Sequence, residues 1–328
     1  MFDLIESFPR QLVDAVALAN AVNLKKKLPA ISNIVVSGLG GSGIGGHAVI
    51  ELVADELNVP LVVNNSYVLP HFAGKETLII LSSYSGNTEE TVAVAKAVKE
   101  KGLTAICITS GGKLKELAEH YGWDYLLIPS GMPPRCGFGY SVVFQLALLE
   151  QYGLISSTFK TKVQQAATLL TTEQKNIQEL AKNTALQLKN KLFALFADQG
   201  FHSLVVRAKQ QFNENSKSLC WANVFPEMNH NELVAWRGAK GEISVVVFRS
   251  NWENVRNKHR IAFSKEVIAQ TGAAVVELFA KGNSPFEQYF YHTHLTDWIS
   301  FYLAEQQQYD PMEIEVLNKL KAHLAAID

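Results

Sequence analysis

Short apolar runs recur along the chain, each followed by a polar or glycine-rich turn and then by apolar residues at helical spacing. Ile34-Val35-Val36-Ser37, Val59-Pro60-Leu61-Val62-Val63, Thr77-Leu78-Ile79-Ile80-Leu81, Thr104–Ile108 and Tyr125–Ile128 read as strands. Helical patterns separate them, running to about Leu57, over Val92–Glu100, near Leu114–His120 and from Gly137 to about Tyr152. Residues 1–30 read as a helical lead-in, and the polar stretch 153–190 as a connecting helix. A second cycle then begins, with strands at Leu192–Ala197, Ile243–Phe248 and Ala273–Leu278. Helices are predicted around 201–215, 253–269 and 286–305, and a last one after Asp310-Pro311. Buried strands alternating with amphipathic helices predict two doubly wound parallel α/β domains. Their predicted spans are 1–152 and 191–328, on either side of the connecting helix.

In such folds ligands bind outside the carboxyl ends of the strands. Three turns of the first half fall on that edge. Gly38-Leu39-Gly40-Gly41-Ser42-Gly43 follows the first strand, and Ser82-Ser83-Tyr84-Ser85-Gly86-Asn87-Thr88 follows the third. The loop Pro129–Arg135 follows the fifth. Small hydroxyl residues opening a helix supply N–H donors, O–H donors and the positive end of a helix dipole, which suits a phosphate. One Ser or Thr there would be an ordinary helix cap. Ser83, Ser85 and Thr88 together with Gly86 exceed what capping requires. Gly38, Gly40 and Gly43 also spell a dinucleotide fingerprint, but the next strand ends in Asn64-Asn65 where a ribose-binding acid should stand.

Composition narrows the partners. The 328 residues are 48% hydrophobic and 19% charged, with a net charge of −1, which argues against nucleic acid or a membrane as main partner. No apolar run approaches the ~20 residues of a membrane span. Acids in Met1-Phe2-Asp3-Leu4-Ile5-Glu6 speak against a secretory signal, and a cytoplasmic location is expected. Cys107, Cys136 and Cys220 are far apart and form no disulfide framework or zinc knuckle. The densest acid, base and amide cluster lies at Asn213-Glu214-Asn215-Ser216-Lys217 and Pro226-Glu227-Met228-Asn229-His230-Asn231-Glu232. Glu214, Glu227 and Glu232 are competing candidates for a general base. Two histidines at helical spacing are missing, so no metal is expected.

These motifs resemble a known family. Gly-Gly-Ser at 40–42, the run Ser83–Thr91, Pro134-Arg135, the Glu214 and His230 segments and Asp310-Pro311 are similar to sugar-isomerase-domain proteins of the bifunctional phosphoglucose/phosphomannose isomerase family. The resemblance covers nearly the whole chain and implies two flavodoxin-like SIS domains. It implies that Gly41, Ser42, Ser83, Ser85 and Thr88 bind the substrate phosphate, and that Arg135 stabilises an enediolate. Glu214 would move the proton between C2 and C1. His230, from the neighbouring subunit of a homodimer, would open the sugar ring, and Lys321 would assist, with Lys319 close by in the alignment. The implied reaction interconverts glucose 6-phosphate or mannose 6-phosphate with fructose 6-phosphate and uses no cofactor.

The residue types suit that chemistry. A carboxylate removes the weakly acidic C–H beside a carbonyl, a cation meets the enediolate charge, and a remote phosphate fixes the reacting carbons. A non-catalytic sugar-phosphate sensor would keep the phosphate turn without needing both Glu214 and His230. Such sensors commonly carry a DNA-binding domain, for which residues 1–30 are short and show no basic helix. The enzyme is therefore the favoured reading.

Overall fold

A central strand buried at all of its positions organises the first half. The structure, a computed structural model, describes residues 1–25, 28, 30–239 and 243–327. Helices α1 (Phe2–Glu6) and α2 (Phe8–Asn20) lead into β1 (Asn33–Ser37), α3 (Gly40–Leu52), β2 (Leu61–Asn64) and β3 (Thr77–Ser82). There follow α4 (Glu89–Glu100), β4 (Ile106–Thr109), α5 (Gly112–Tyr121), β5 (Asp124–Leu127) and α6 (Phe138–Gln151). All strand pairs are parallel, in the order β2-β1-β3-β4-β5. The two neighbours of β1 are reached in opposite directions, so the crevice between β1 and β3 is a topological switch point. The helical lead-in ends at Asn20, and the Lys26, Lys27 and Pro29 part of that expectation lies outside the described residues.

Helix α4 shows why these segments fold where they do. Val94, Ala95 and Val98 face Val35, Ile79 and Leu81 of the sheet in one buried cluster. Glu89 and Glu90 in its first turn and Lys99 in its last complement the helix dipole. Each fully buried aliphatic side chain of this kind contributes roughly 1.5–3 kcal/mol.

The second half continues through α7 (Thr158–Leu188), β6 (Leu192–Asp198), α8 (His202–Asn215), β7 (Cys220–Phe225), α9 (Glu232–Ala235), β8 (Ile243–Arg249), α10 (Val255–Ala269) and β9 (Ala274–Phe279). Helices α11 (Pro285–Gln307) and α12 (Glu315–Leu324) end it. Its parallel sheet has the order β7-β6-β8-β9, the first sheet's order with one strand fewer. Strand β7 was not anticipated. It is an edge strand, only half-buried over its first four residues, and the polar Asn223 interrupts its apolar run. Phe196 anchors the core here, edge-on to Phe225 at 6.0 Å and to Trp236 at 6.4 Å. Phe196→Ala would cost about 3–5 kcal/mol.

The chain divides into two compact units. One comprises Glu6–Thr172 and Lys281–Phe290, the other Met1–Ile5, Glu173–Ala280 and Tyr291–Asp328. Among the described residues no helix is long and apolar enough to cross a membrane.

Candidate active site

The hydroxyl turn between β3 and α4 is built as a socket. Thr88 occupies the N-cap position of α4, yet its side chain caps nothing. Its Oγ1 instead meets Ser83 Oγ at 2.8 Å, with Ser83 only 1% exposed. Ser85 is exposed and accepts a hydrogen bond from the Asn87 N–H at 3.2 Å. Among the described residues the N–H groups of Ser85 and Thr88 have no acceptor. The turn closes through Gly86, whose φ of +68° and contact with the Gly111 carbonyl leave no room for a Cβ. Bare donors, hydroxyls and a helix N-terminus thus converge where an oxyanion is best met.

The two other turns come to the same place. Ser42 Oγ accepts from the Tyr84 N–H at 3.2 Å, joining the α3 N-terminus to the hydroxyl turn. A Cβ on Gly41 would stand 3.2 Å from the Pro134 carbonyl and 3.4 Å from Arg135 Cα, so glycine is what admits the arginine loop. Arg135 lies in a short 3-10 turn, Pro134–Gly137, and is buried at 5% exposure. Gln11 of α2 brackets that turn: its Nε2 donates to the Cys136 carbonyl and its Oε1 accepts from the Gly139 N–H, both at 2.8 Å. Gly41, Ser42, Ser83, Ser85, Thr88 and Arg135 therefore belong to one neighbourhood. The asparagines that replace a ribose acid are used internally: Asn64 donates to Ser37 Oγ and the Val68 carbonyl, and Asn65 to the Gly38 carbonyl.

Glu214 stands in the last turn of α8, half-buried, in a motif whose other members tie the segment down. Asn213 donates to the Ser218 carbonyl, the buried Asn215 to Ser300 Oγ and Ser216 to the Phe212 carbonyl. Lys217, with a left-handed φ of +52°, donates to the carbonyls of Glu214, Asn215, Asp310 and Glu313. A cation thus sits on the negative end of α8 and ties the segment leading to α12 to it. Of the competing acids, Glu232 has both oxygens engaged, by Trp221 Nε1 and Asn223 Nδ2 at 2.7 Å each. Glu227 accepts from Asn231 Nδ2 at 3.0 Å.

His230 is exposed at the end of a short 3-10 turn, Glu227–His230, anchored by buried Met228 and by Asn229 donating to Ser264. Lys321 is exposed on α12 and forms no ion pair among the described residues, whereas Lys319 is paired with Glu315 at 2.6 Å. Among the described residues no three His, Cys, Asp or Glu side chains are placed to hold a metal ion. Sequence reasoning missed Tyr84 and Gln11. Their partners lie 25–128 positions away, beyond any local pattern.

Two doubly wound sheets, one opening on a hydroxyl turn, are the architecture on which two sugar isomerase (SIS) family models fall. The SIS domain profile matches residues 30–155, and the profile described as "Bacterial phospho-glucose isomerase C-terminal SIS domain" matches residues 177–324. The bifunctional phosphoglucose/phosphomannose isomerase of Caldicellulosiruptor bescii is 37% identical over all of this chain and 99% of its own. That of Aquifex aeolicus is 30% identical over 92% of this chain and 93% of its own. The chain belongs to the bifunctional phosphoglucose/phosphomannose isomerase family. The C-terminal domain of glucosamine-fructose-6-phosphate aminotransferase from Francisella tularensis superposes with a TM-score of 0.79 over 96% of this chain and 97% of that one. At 13% identity that likeness concerns the fold alone.

Proposed function

We propose that the chain is a cytoplasmic aldose–ketose isomerase that interconverts glucose 6-phosphate and mannose 6-phosphate with fructose 6-phosphate, through a cis-enediolate and without a metal ion. The observation that carries this reading is the buried Arg135 packed against Gly41 beside the hydroxyl turn. A phosphate held by Gly41, Ser42, Ser83, Ser85 and Thr88 spends its binding energy on fixing the sugar, and the arginine meets charge that develops only during reaction. Glu214 is the base that carries the proton between C2 and C1. Glu232 is disfavoured for that role because its oxygens already serve Trp221 and Asn223.

His230 opens the ring, and Lys321 holds sugar oxygens. Glu214 precedes β7 and His230 follows it, so one chain separates them by the length of that strand. Five residue steps span roughly 17 Å, more than two side chains bridge around one sugar. This supports a two-fold dimer in which each site takes His230 from the partner chain.

The direct test is a coupled assay of fructose 6-phosphate conversion, in both directions, with and without exhaustive chelation. Turnover of glucose 6-phosphate and mannose 6-phosphate that survives chelation is expected. Activity that vanishes on chelation and returns with zinc would overturn the mechanism. Sharing is tested with Glu214→Ala and His230→Ala, each inactive alone. In a random mixture about half the dimers are mixed, and with both lesions in one of their two sites roughly a quarter of all sites recover. No recovery, with mixed dimers confirmed by mass, would place His230 in its own chain's site.

A further inference from the structure

Tyr84 sits in the middle of the hydroxyl turn, yet its phenol bonds to a different loop. Its backbone belongs to the socket: the N–H donates to Ser42 Oγ, and the carbonyl accepts from the Ser110 N–H at 2.8 Å and Ser110 Oγ at 2.7 Å. Its side chain belongs to the arginine loop. The phenol donates to the Pro129 carbonyl at 3.0 Å and accepts from the Met132 N–H at 3.1 Å, gripping the loop at two points before Arg135. Beyond Arg135, the Tyr84 ring lies where a Cβ on Gly137 would come within 3.1 Å. The residue is buried, and burial pushes its phenol above the ordinary value, so it stays a neutral donor and acceptor.

We infer that Tyr84 is a positioning residue that sets Arg135 against the occupied phosphate socket, so that the socket and the charge-stabilising cation form one rigid unit. The inference rests on the isomerase reading proposed above and deepens it. Pro129, Pro133 and Pro134 stiffen the loop but remove three N–H groups from it, leaving few backbone bonds to fix its position. The tyrosine supplies the missing tie. Misplacing a charge-stabilising cation by about 1 Å can cost the transition state ~10²-fold while the ground state is bound as before.

Tyr84→Phe keeps the ring and deletes both loop bonds. The expected result is a fall of about 10-fold in kcat, with KM and inhibition by inorganic phosphate changed less than about 2-fold, because the socket bonds are made by the backbone. The same substitution placed in an Arg135→Lys background should cost less than about 2-fold, since a residue acting through the arginine has nothing left to position. Gly137→Ala, which pushes on the ring from the other side and leaves the phenol in place, should reproduce the kcat loss without a KM change. Equal kcat losses in the parent and Arg135→Lys backgrounds would overturn the inference, as would a loss that falls on KM and phosphate inhibition. An unchanged kcat in both Tyr84→Phe and Gly137→Ala would overturn it too. A parent protein with no isomerase turnover would instead sink the isomerase reading itself, so the two failures are distinguishable.

Discussion

The two halves share a strand order but answer the ends of their strands in opposite ways. At the switch point of the first half the chain supplies glycines and hydroxyls, and among the described residues the N–H groups of Ser85 and Thr88 have no acceptor. At the corresponding edge of the second half the chain supplies its own carboxylates. Asp198, at the end of β6, accepts from the N–H groups of Gly200 and Asn254 and from Asn257 Nδ2. Glu253, just past β8, accepts from the Ser250 N–H and twice from Arg249, which also pairs with Glu277. His292 adds its Nε2, donating to the Arg249 carbonyl at 2.9 Å. One topology therefore yields a candidate anion socket on one edge and, on the other, a closed structural knot whose donors are satisfied from within. The chemistry proposed for the second half comes from elsewhere: Glu214 lies at the far end of α8, beside the amino end of β7.

The largest effect that sharpens this division is expected from Glu214→Gln. The amide keeps the shape but accepts no proton, so kcat should fall by at least ~10²-fold, with phosphate inhibition nearly intact. Solvent deuterium should enter C1 or C2 with the parent and not with the variant. Retention of most of kcat would move the base to Glu227 or Glu232 and erase the division of labour.

The second expected effect is acid lability of the closed half. Burial holds the His292 imidazole down at about 4 and that of His294 at about 3, against about 6.5 for an exposed ring. The folded pKa lies below the unfolded one, so the unfolded chain takes up the proton first and stability is lost as pH falls from about 6.5 towards 4. For His292 alone the loss is about 3 kcal/mol. Denaturant midpoints measured across that range should fall for the parent and fall less steeply for His292→Gln, which can still donate to the Arg249 carbonyl. Parallel curves would remove His292 from the account.

Next comes the open half. Ser85→Ala removes one hydroxyl from the socket, and a hydrogen bond to a charged group is worth roughly 1.5–3 kcal/mol. KM for the sugar phosphate should rise, and inhibition by inorganic phosphate should weaken, by about 10-fold or more. Unchanged phosphate inhibition would return the turn to a helix-capping role and make the two edges alike.

Much of this was legible before any coordinates. Runs such as Leu78–Leu81 are apolar at every position because both faces of a central parallel strand are covered, and a run of that kind reads clearly. The edge strand β7 lacks that signal. The glycines of 38–43 read as a turn, yet α3 already begins at Gly40, since helix onset there depends on close packing that propensity does not describe. The candidate residues were legible as a motif, and their mutual arrangement was not. That arrangement rests on Tyr84, Gln11 and the glycine at 41, whose partners are far away in sequence. Among the three glutamates, the bonds of Glu232 to Trp221 and Asn223 were likewise not legible in the sequence.

The smallest expected effect tests whether the closed edge owes its closure to hydrogen bonds or to repulsion of anions. Asp198→Asn removes the charge and keeps the shape. If repulsion alone kept anions away, neutralising Asp198 would expose the N–H groups of Gly200 and Asn254, and a second phosphate would bind. The geometry argues otherwise, because those N–H groups already point at the side-chain oxygens of residue 198 at 3.0 and 3.2 Å. An asparagine oxygen can still accept from one of them, while its amide group faces the other donors and weakens the remaining bonds. A loss of about 1 kcal/mol in stability is expected, with no change in phosphate inhibition and one phosphate bound per chain by calorimetry. Two phosphates per chain in Asp198→Asn would show that charge, and not hydrogen bonding, separates the two edges. Unaltered stability would show that Asp198 does not hold its edge at all.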